Sequence, residues 1–100
     1  MAGLTVRSED GAWHLAGEFD LAEVEAFEQL ATAALAGRDD IVLDLTGLAF
    51  IDSSGLQAIA RLARGRVVVL RNPRGNVRRV LDLVKFDDVP GIEIDPNVPV

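Results

Sequence analysis

Apolar and polar residues change rhythm several times along this chain, and each change marks an element. Residues 4–8 alternate, Leu4 and Val6 against Thr5, Arg7 and Ser8, the period of a half-buried strand. Asp10-Gly11 follows. It is a strong hairpin signal, because a type I′ turn needs positive φ at both central positions. Residues 12–17 predict the return strand, so the chain opens with an antiparallel pair. The rhythm then lengthens: Val24, Phe27, Leu30, Ala31, Ala34 and Leu35 recur at three- and four-residue steps, the stripe of a helix. Asp20 is placed to cap its start and Gly37 to stop it. Ile41-Val42-Leu43-Asp44-Leu45 is nearly continuous in apolar character, which predicts an interior strand of a partly parallel sheet, covered on its faces.

A second helix is predicted after Ser53, running to about Arg64 with Gly65 as its stop. Residues 66–70 predict another buried strand, and Asn72-Pro73-Arg74-Gly75 a loop. Asn76 is placed to cap a short helix whose stripe is Val77, Val80, Leu81 and Val84. Pro90-Gly91 breaks the chain before a last strand over 92–94, and 95–100 read as an extended tail. The order β-β-α-β-α-β-α-β implies one α/β domain spanning 1–100, with right-handed crossovers between parallel strands. Ligand crevices in such sheets lie beyond the carboxyl ends of the strands. Asp20, Asp52, Ser53, Ser54 and Asn72 all fall at such ends and are expected on one rim.

Composition narrows the function classes. There is no cysteine and a single histidine, His14, so thiolate metal sites and sites needing two histidines are excluded. No apolar run approaches the ~18–20 residues of a membrane span, and Met1 runs almost directly into the first strand. A soluble, cytoplasmic protein without membrane insertion is expected. The net charge of −6 argues against direct nucleic-acid binding. It is unevenly distributed: acids dominate residues 1–60 and bases residues 61–100, either as ordinary solvated faces or as a surface that orients a protein partner.

The candidate chemistry gathers at Asp52-Ser53-Ser54-Gly55, where the second helix begins. Free backbone N–H groups and the positive end of the helix dipole collect there, so the tetrapeptide suits both capping and phosphate acceptance. On local spacing alone the simpler reading is a cap by Asp52 or Ser53, with Ser54 a polar residue of the first turn. The rival reading makes Ser54 a phosphorylation target. Such a phosphate adds about −1.5 to −2 charges, favoured by the helix N-terminus and opposed by Asp52 and Asp20. Enzymatic readings find little support. No G-x-S-x-G surrounds either serine, His14 lies in a strand, and no phosphate-binding glycine loop is present. Asp20 and Asp52 alone are weak grounds for acid–base catalysis or a metal site. No cofactor and no metal are expected.

At these residues the chain resembles a STAS domain, in particular the bacterial anti-sigma factor antagonist family. The resemblance runs through Leu15-Ala16-Gly17-Glu18-Phe19-Asp20-Leu21, through Ile41–Leu45 and Phe50-Ile51-Asp52-Ser53-Ser54-Gly55-Leu56, and through Arg71-Asn72-Pro73 with Val77-Arg78-Arg79-Val80-Leu81. It implies a small mixed sheet with the first strand antiparallel at its edge, and a non-enzymatic binding module. The implied partner is an anti-sigma factor that doubles as a serine kinase, with a serine phosphatase reversing the modification. Binding would free a sigma factor for transcription. The family pattern places the phosphate on Ser54, with Ser53 as a neighbour and cap, Asp20 and Asp52 as flanking acids, and Gly55 beside them. A weak homodimer is left open. STAS domains also serve as subunits of lipid-transport ABC complexes and stress-sensing assemblies, where Ser54 would only start a helix. Three departures bear on partner choice. The segment Val84-Lys85-Phe86-Asp87-Asp88-Val89 replaces a small Thr-Gly turn. The threonine often found after the acid at Asp20 is lacking. A final helix is expected to be short or missing.

Overall fold

A computed structural model describes residues 3–95; of the expected tail at 95–100, Asp95 is tied to the sheet by its N–H to the Leu70 carbonyl at 2.9 Å, and 96–100 lie outside the described residues. The chain runs β1 (Leu4–Glu9), β2 (Ala12–Phe19), α1 (Leu21–Leu35), β3 (Asp40–Ile51), α2 (Ser53–Leu62), β4 (Val67–Arg71), α3 (Gly75–Leu83), a 3₁₀ turn (Phe86–Asp88) and β5 (Ile92–Ile94). The strands form one sheet in the order β1-β2-β3-β4-β5, with β1 antiparallel at the edge and the other neighbours parallel. This is the expected α/β architecture. Asp10 and Gly11 hold φ of 55° and 78°, the two positive values that the hairpin signal demanded.

The core lies on one side of the sheet. Trp13, Leu43, Leu70 and Ile94 follow one another across four strands; the first three share a buried cluster with Phe27, Leu35, Ile59, Val77 and Leu81 of the helices, and the half-buried Ile94 packs against it. Phe27 anchors it, with the Phe19 ring 4.8 Å away and Trp13 edge-on at 6.1 Å. Burying side chains of this size contributes roughly 1.5–3 kcal/mol each.

The opposite face corrects the expectation that β3 and β4 are covered on both sides. Val42 and Val69 are only half-buried there. The pairing register draws a polar row across this face: Arg7 lies opposite His14, His14 opposite Asp44, and Asp44 opposite Arg71. Apolar continuity over five residues cannot distinguish a strand buried on both faces from one whose outer valines are shielded by long polar neighbours.

Other boundaries moved for local reasons. β3 continues through Thr46–Ile51, well past Leu45, because two register shifts in its pairing with β2 keep the ladder going. Asn76 does not cap α3. Arg74 holds the cap position in extended conformation without a side-chain bond, and its carbonyl accepts from the N–H groups of Val77 and Arg78. Helix periodicity held at Phe27, Ala31 and Leu35, whereas Leu30 and Ala34 face outward; Val84 is likewise exposed beyond the end of α3.

Candidate functional site

Two strand ends build the site. β2 and β3 finish side by side, with Phe19 opposite Ile51, both buried. Each strand then delivers an aspartate as the N-cap of the next helix. Asp20 Oδ1 accepts from the N–H of Ala22 at 3.1 Å, and Asp52 Oδ1 from the N–H of Gly55 at 3.0 Å. The Asp52 N–H donates to the carbonyl of Phe19 at 3.2 Å, tying the two caps together. The Asp52 carbonyl accepts the first α2 bond, from Leu56 at 3.0 Å. Asp20, Asp52, Ser53, Ser54 and Gly55 thus form one rim, as the topology predicted.

Asn72 is not part of it. β4 ends at Arg71, opposite Asp44, and β3 runs seven residues further before Ile51 closes it. Strand lengths, which topology alone does not supply, decide which loops meet.

With Asp52 as the cap, Ser53 and Ser54 occupy the first two helical positions, so Ser53 does not cap. The aspartate wins because its carboxylate reaches the third helical N–H. Ser53 is exposed and Ser54 half-buried, and neither hydroxyl takes part in the cap. Gly55 explains the close seating of this turn. A Cβ there would lie 2.7 Å from the Phe19 carbonyl oxygen and 2.9 Å from Ile51 Cγ1, inside van der Waals contact. Only a glycine lets α2 begin directly against the end of β2.

Charge and exposed apolar area complete the rim. Glu23 adds a third acid in the first turn of α1. Leu21, beside Asp20, is 71% exposed, and Phe50, near the end of β3, is 38% exposed. Sequence reasoning missed both. Leu21 lies off the helical stripe immediately after the cap, which was the available signal, whereas the exposure of Phe50 depends on the register of β3. Among the described residues no group of three His, Asp or Glu side chains could hold a metal, and no helix is long and apolar enough to cross a membrane. The arrangement places the Ser54 hydroxyl at a helix N-terminus, flanked by two carboxylates already engaged as caps. Such a group can accept a phosphate and change the charge of the rim without disturbing the caps.

A second polar cluster was also missed. Asp44 lies on the open face of the sheet yet is only 6% exposed. Its Oδ2 accepts from Arg71 Nε at 2.8 Å and its Oδ1 from the Thr46 N–H at 2.9 Å, with His14 Nδ1 at 3.9 Å. Burial alone would raise this carboxyl. Hydrogen bonds from Thr46 and the Arg71 guanidinium outweigh that and hold it below the ordinary carboxylate range. A lone acid inside Ile41–Leu45 was the available signal.

The family model described as "Mlab, STAS domain" matches residues 3–94. Among solved structures, an anti-sigma factor antagonist from Mycobacterium paratuberculosis is similar at 27% identity and a TM-score of 0.66, over 98% of this chain and 88% of that one. The anti-sigma factor antagonist SpoIIAA in its unphosphorylated form is similar at 19% identity and a TM-score of 0.64, over 96% and 90% of the two chains. The much longer SLC26A9 matches over 90% of this chain but 19% of its own, at 19% identity and a TM-score of 0.58. Among curated proteins no sequence match reaches significance. A family match over nearly the whole described chain, on a five-stranded sheet with its antiparallel edge strand, establishes that the protein belongs to the STAS domain family.

Proposed function

We propose that this STAS domain is an anti-sigma factor antagonist that binds a cognate anti-sigma factor with serine kinase activity and is switched off by phosphorylation of Ser54. The observation that carries the reading is the division of labour at the start of α2. Asp52 caps, Gly55 seats the turn, and the half-buried Ser54 hydroxyl is left out of the cap. Likeness to an anti-sigma factor antagonist at 27% identity over most of both chains supports the same role. A phosphate on Ser54 places about two negative charges and three oxygens where Asp20 and Asp52 already stand, so it fills the rim with bulk and charge that a partner surface fitted to the unmodified hydroxyl does not accommodate, and it repels any partner carboxylate or backbone carbonyl seated there. Leu21 and Phe50 supply apolar contact area beside that charge. The protein itself catalyses nothing in this scheme; the kinase is the partner, and a serine phosphatase restores the binding form.

The direct test is transfer of phosphate from ATP by the cognate kinase. Wild-type protein should be labelled on Ser54, and Ser54→Ala should not be labelled while still binding. Label persisting on Ser54→Ala would remove the site assignment.

A second reading keeps the fold and drops the switch, making the chain a STAS subunit of a lipid-transport ABC complex or of a stress-sensing assembly. Its support is the matching family's own description, Mlab, which names no sigma-factor regulator. Recovery of a transporter ATPase with the protein, and no phosphoserine in cells, would favour it.

A further inference from the structure

Arginines gather at the end of α2 opposite to Ser54. Arg61 lies in the last turn of α2, Arg64 in the turn that follows, and Arg66 immediately before β4. A basic residue in a last helical turn is ordinary dipole chemistry, and Arg61 also donates to Glu28 Oε2 of α1 at 2.6 Å. The other two are less easily accounted for. Arg66 Nη1 donates to the Leu35 carbonyl at 3.3 Å, while its Nε is buried without a partner among the described residues. Arg64 is exposed and forms no ion pair among the described residues. Arg38, Asp39 and Asp40 are near in the fold, since Asp40 lies opposite Val67, but they border neither concavity described next.

Arg61, Arg64 and Arg66 line two depressions at once. One, of about 300 Å³, lies between α1 and α2 over Phe27, Ala31 and Ala58. The other, of about 750 Å³, opens toward the Val89-Pro90-Gly91 turn. In a chain of net charge −6, three arginine side chains line these depressions, and among the described residues Glu28 is the one carboxylate lining either of them. The excess is about two positive charges, matching a phosphate monoester near neutral pH, and planar guanidinium forks favour bidentate oxyanions. The smaller depression has the size of a small-molecule site and an apolar floor.

We propose that this end of the domain binds a small organic phosphate, with its phosphate held by Arg61, Arg64 and Arg66 and its apolar body over Phe27, Ala31 and Ala58. The site stands apart from Ser54 by the length of α2, ten residues or about 15 Å. It therefore does not depend on the phosphorylation reading.

The test uses the full chain, isotope-labelled, titrated with AMP, adenosine and inorganic phosphate and followed by amide and arginine Nε–H resonances. AMP should give saturable shifts centred on residues 58–66 and on α1 near Phe27. Adenosine, lacking the oxyanion, should bind at least tenfold more weakly, and so should inorganic phosphate, lacking the body. Arg64→Ala should weaken AMP at least fivefold with an unchanged melting temperature, since Arg64 is exposed and unpaired. Arg64→Lys should recover part of the loss, and Ser54→Ala should bind as wild type. No saturable shift with AMP, shifts centred elsewhere, or equal affinity in Arg64→Ala would overturn the site. Adenosine equal to AMP would overturn the role of the arginines, and inorganic phosphate equal to AMP the role of the apolar floor.

Discussion

Gly55 and Asp52 set the geometry in which the two serines between them are held. Gly55→Ala forces a Cβ to within 2.7 Å of the Phe19 carbonyl, so either α2 or the end of β2 must shift. A loss of about 1–3 kcal/mol is expected, read as a lowered midpoint in chemical denaturation. If Gly55 matters mainly because it seats Ser54, the variant should also be a poorer kinase substrate at temperatures where it remains folded. Asp52→Ala removes an N-cap and should cost about 1 kcal/mol, while Asp52→Asn keeps the acceptor and should be nearly neutral. The asparagine variant therefore separates charge from capping: a change in partner binding without a change in stability would assign the Asp52 charge to the interface. Residue by residue, the site was legible because caps, turns and glycines act locally. What sequence could not decide was which of Asp52 and Ser53 caps, since both are good N-cap residues and the choice depends on where β3 releases the chain.

At the scale of elements, the row across the open face of the sheet is the feature with the clearest energetic consequence. Arg7, His14, Asp44 and Arg71 come from four consecutive strands; Asp44 is the acid beside His14 and Arg71, while Arg7 pairs with Glu9. Its carboxyl is held below the ordinary range, so the unfolded chain binds the proton more readily than the folded one. The linked stability is fully present above the unfolded value of about 3.9, and is lost as pH falls through the lower folded value. Asp44→Asn should therefore flatten the acid limb of a stability–pH profile below about pH 4; a limb as steep as wild type would assign acid unfolding to other carboxylates. Arg71→Ala leaves Asp44 buried without its cation and should cost about 1–2 kcal/mol near neutral pH, at the low end for a buried pair because Arg71 is one-third exposed. Periodicity located every strand and helix of the fold but misjudged their ends. Thr46-Gly47 looks like turn punctuation, yet β3 keeps pairing through it because it takes up an extra residue at each of two register shifts against β2. Asn76 looks like a cap, but α3 starts one turn position earlier, at Gly75. At β3 strand pairing overrode the local signal; at α3 the backbone entered the helix before Asn76 was reached.

For the whole molecule, the chain reads as a two-ended device built around α2. One end carries acids, exposed Leu21 and Phe50, and the Ser54 hydroxyl; the other carries Arg61, Arg64 and Arg66. The arginines of residues 61–66 were visible in the sequence, but their placement at the end of α2 opposite Ser54 was not. That placement follows from parallel pairing, which brings the ends of β2 and β3 together and returns the chain to β4 at the far end of the sheet. The claim that ties these features together is that the rim around Ser54 is a binding surface governed by phosphate. The most direct measurement is calorimetric titration of the cognate anti-sigma factor kinase with the unmodified protein and with protein phosphorylated quantitatively at Ser54. The account predicts tight binding of the unmodified form and affinity at least tenfold weaker after phosphorylation, a loss of 1.4 kcal/mol or more. Equal affinity of the two forms would contradict it.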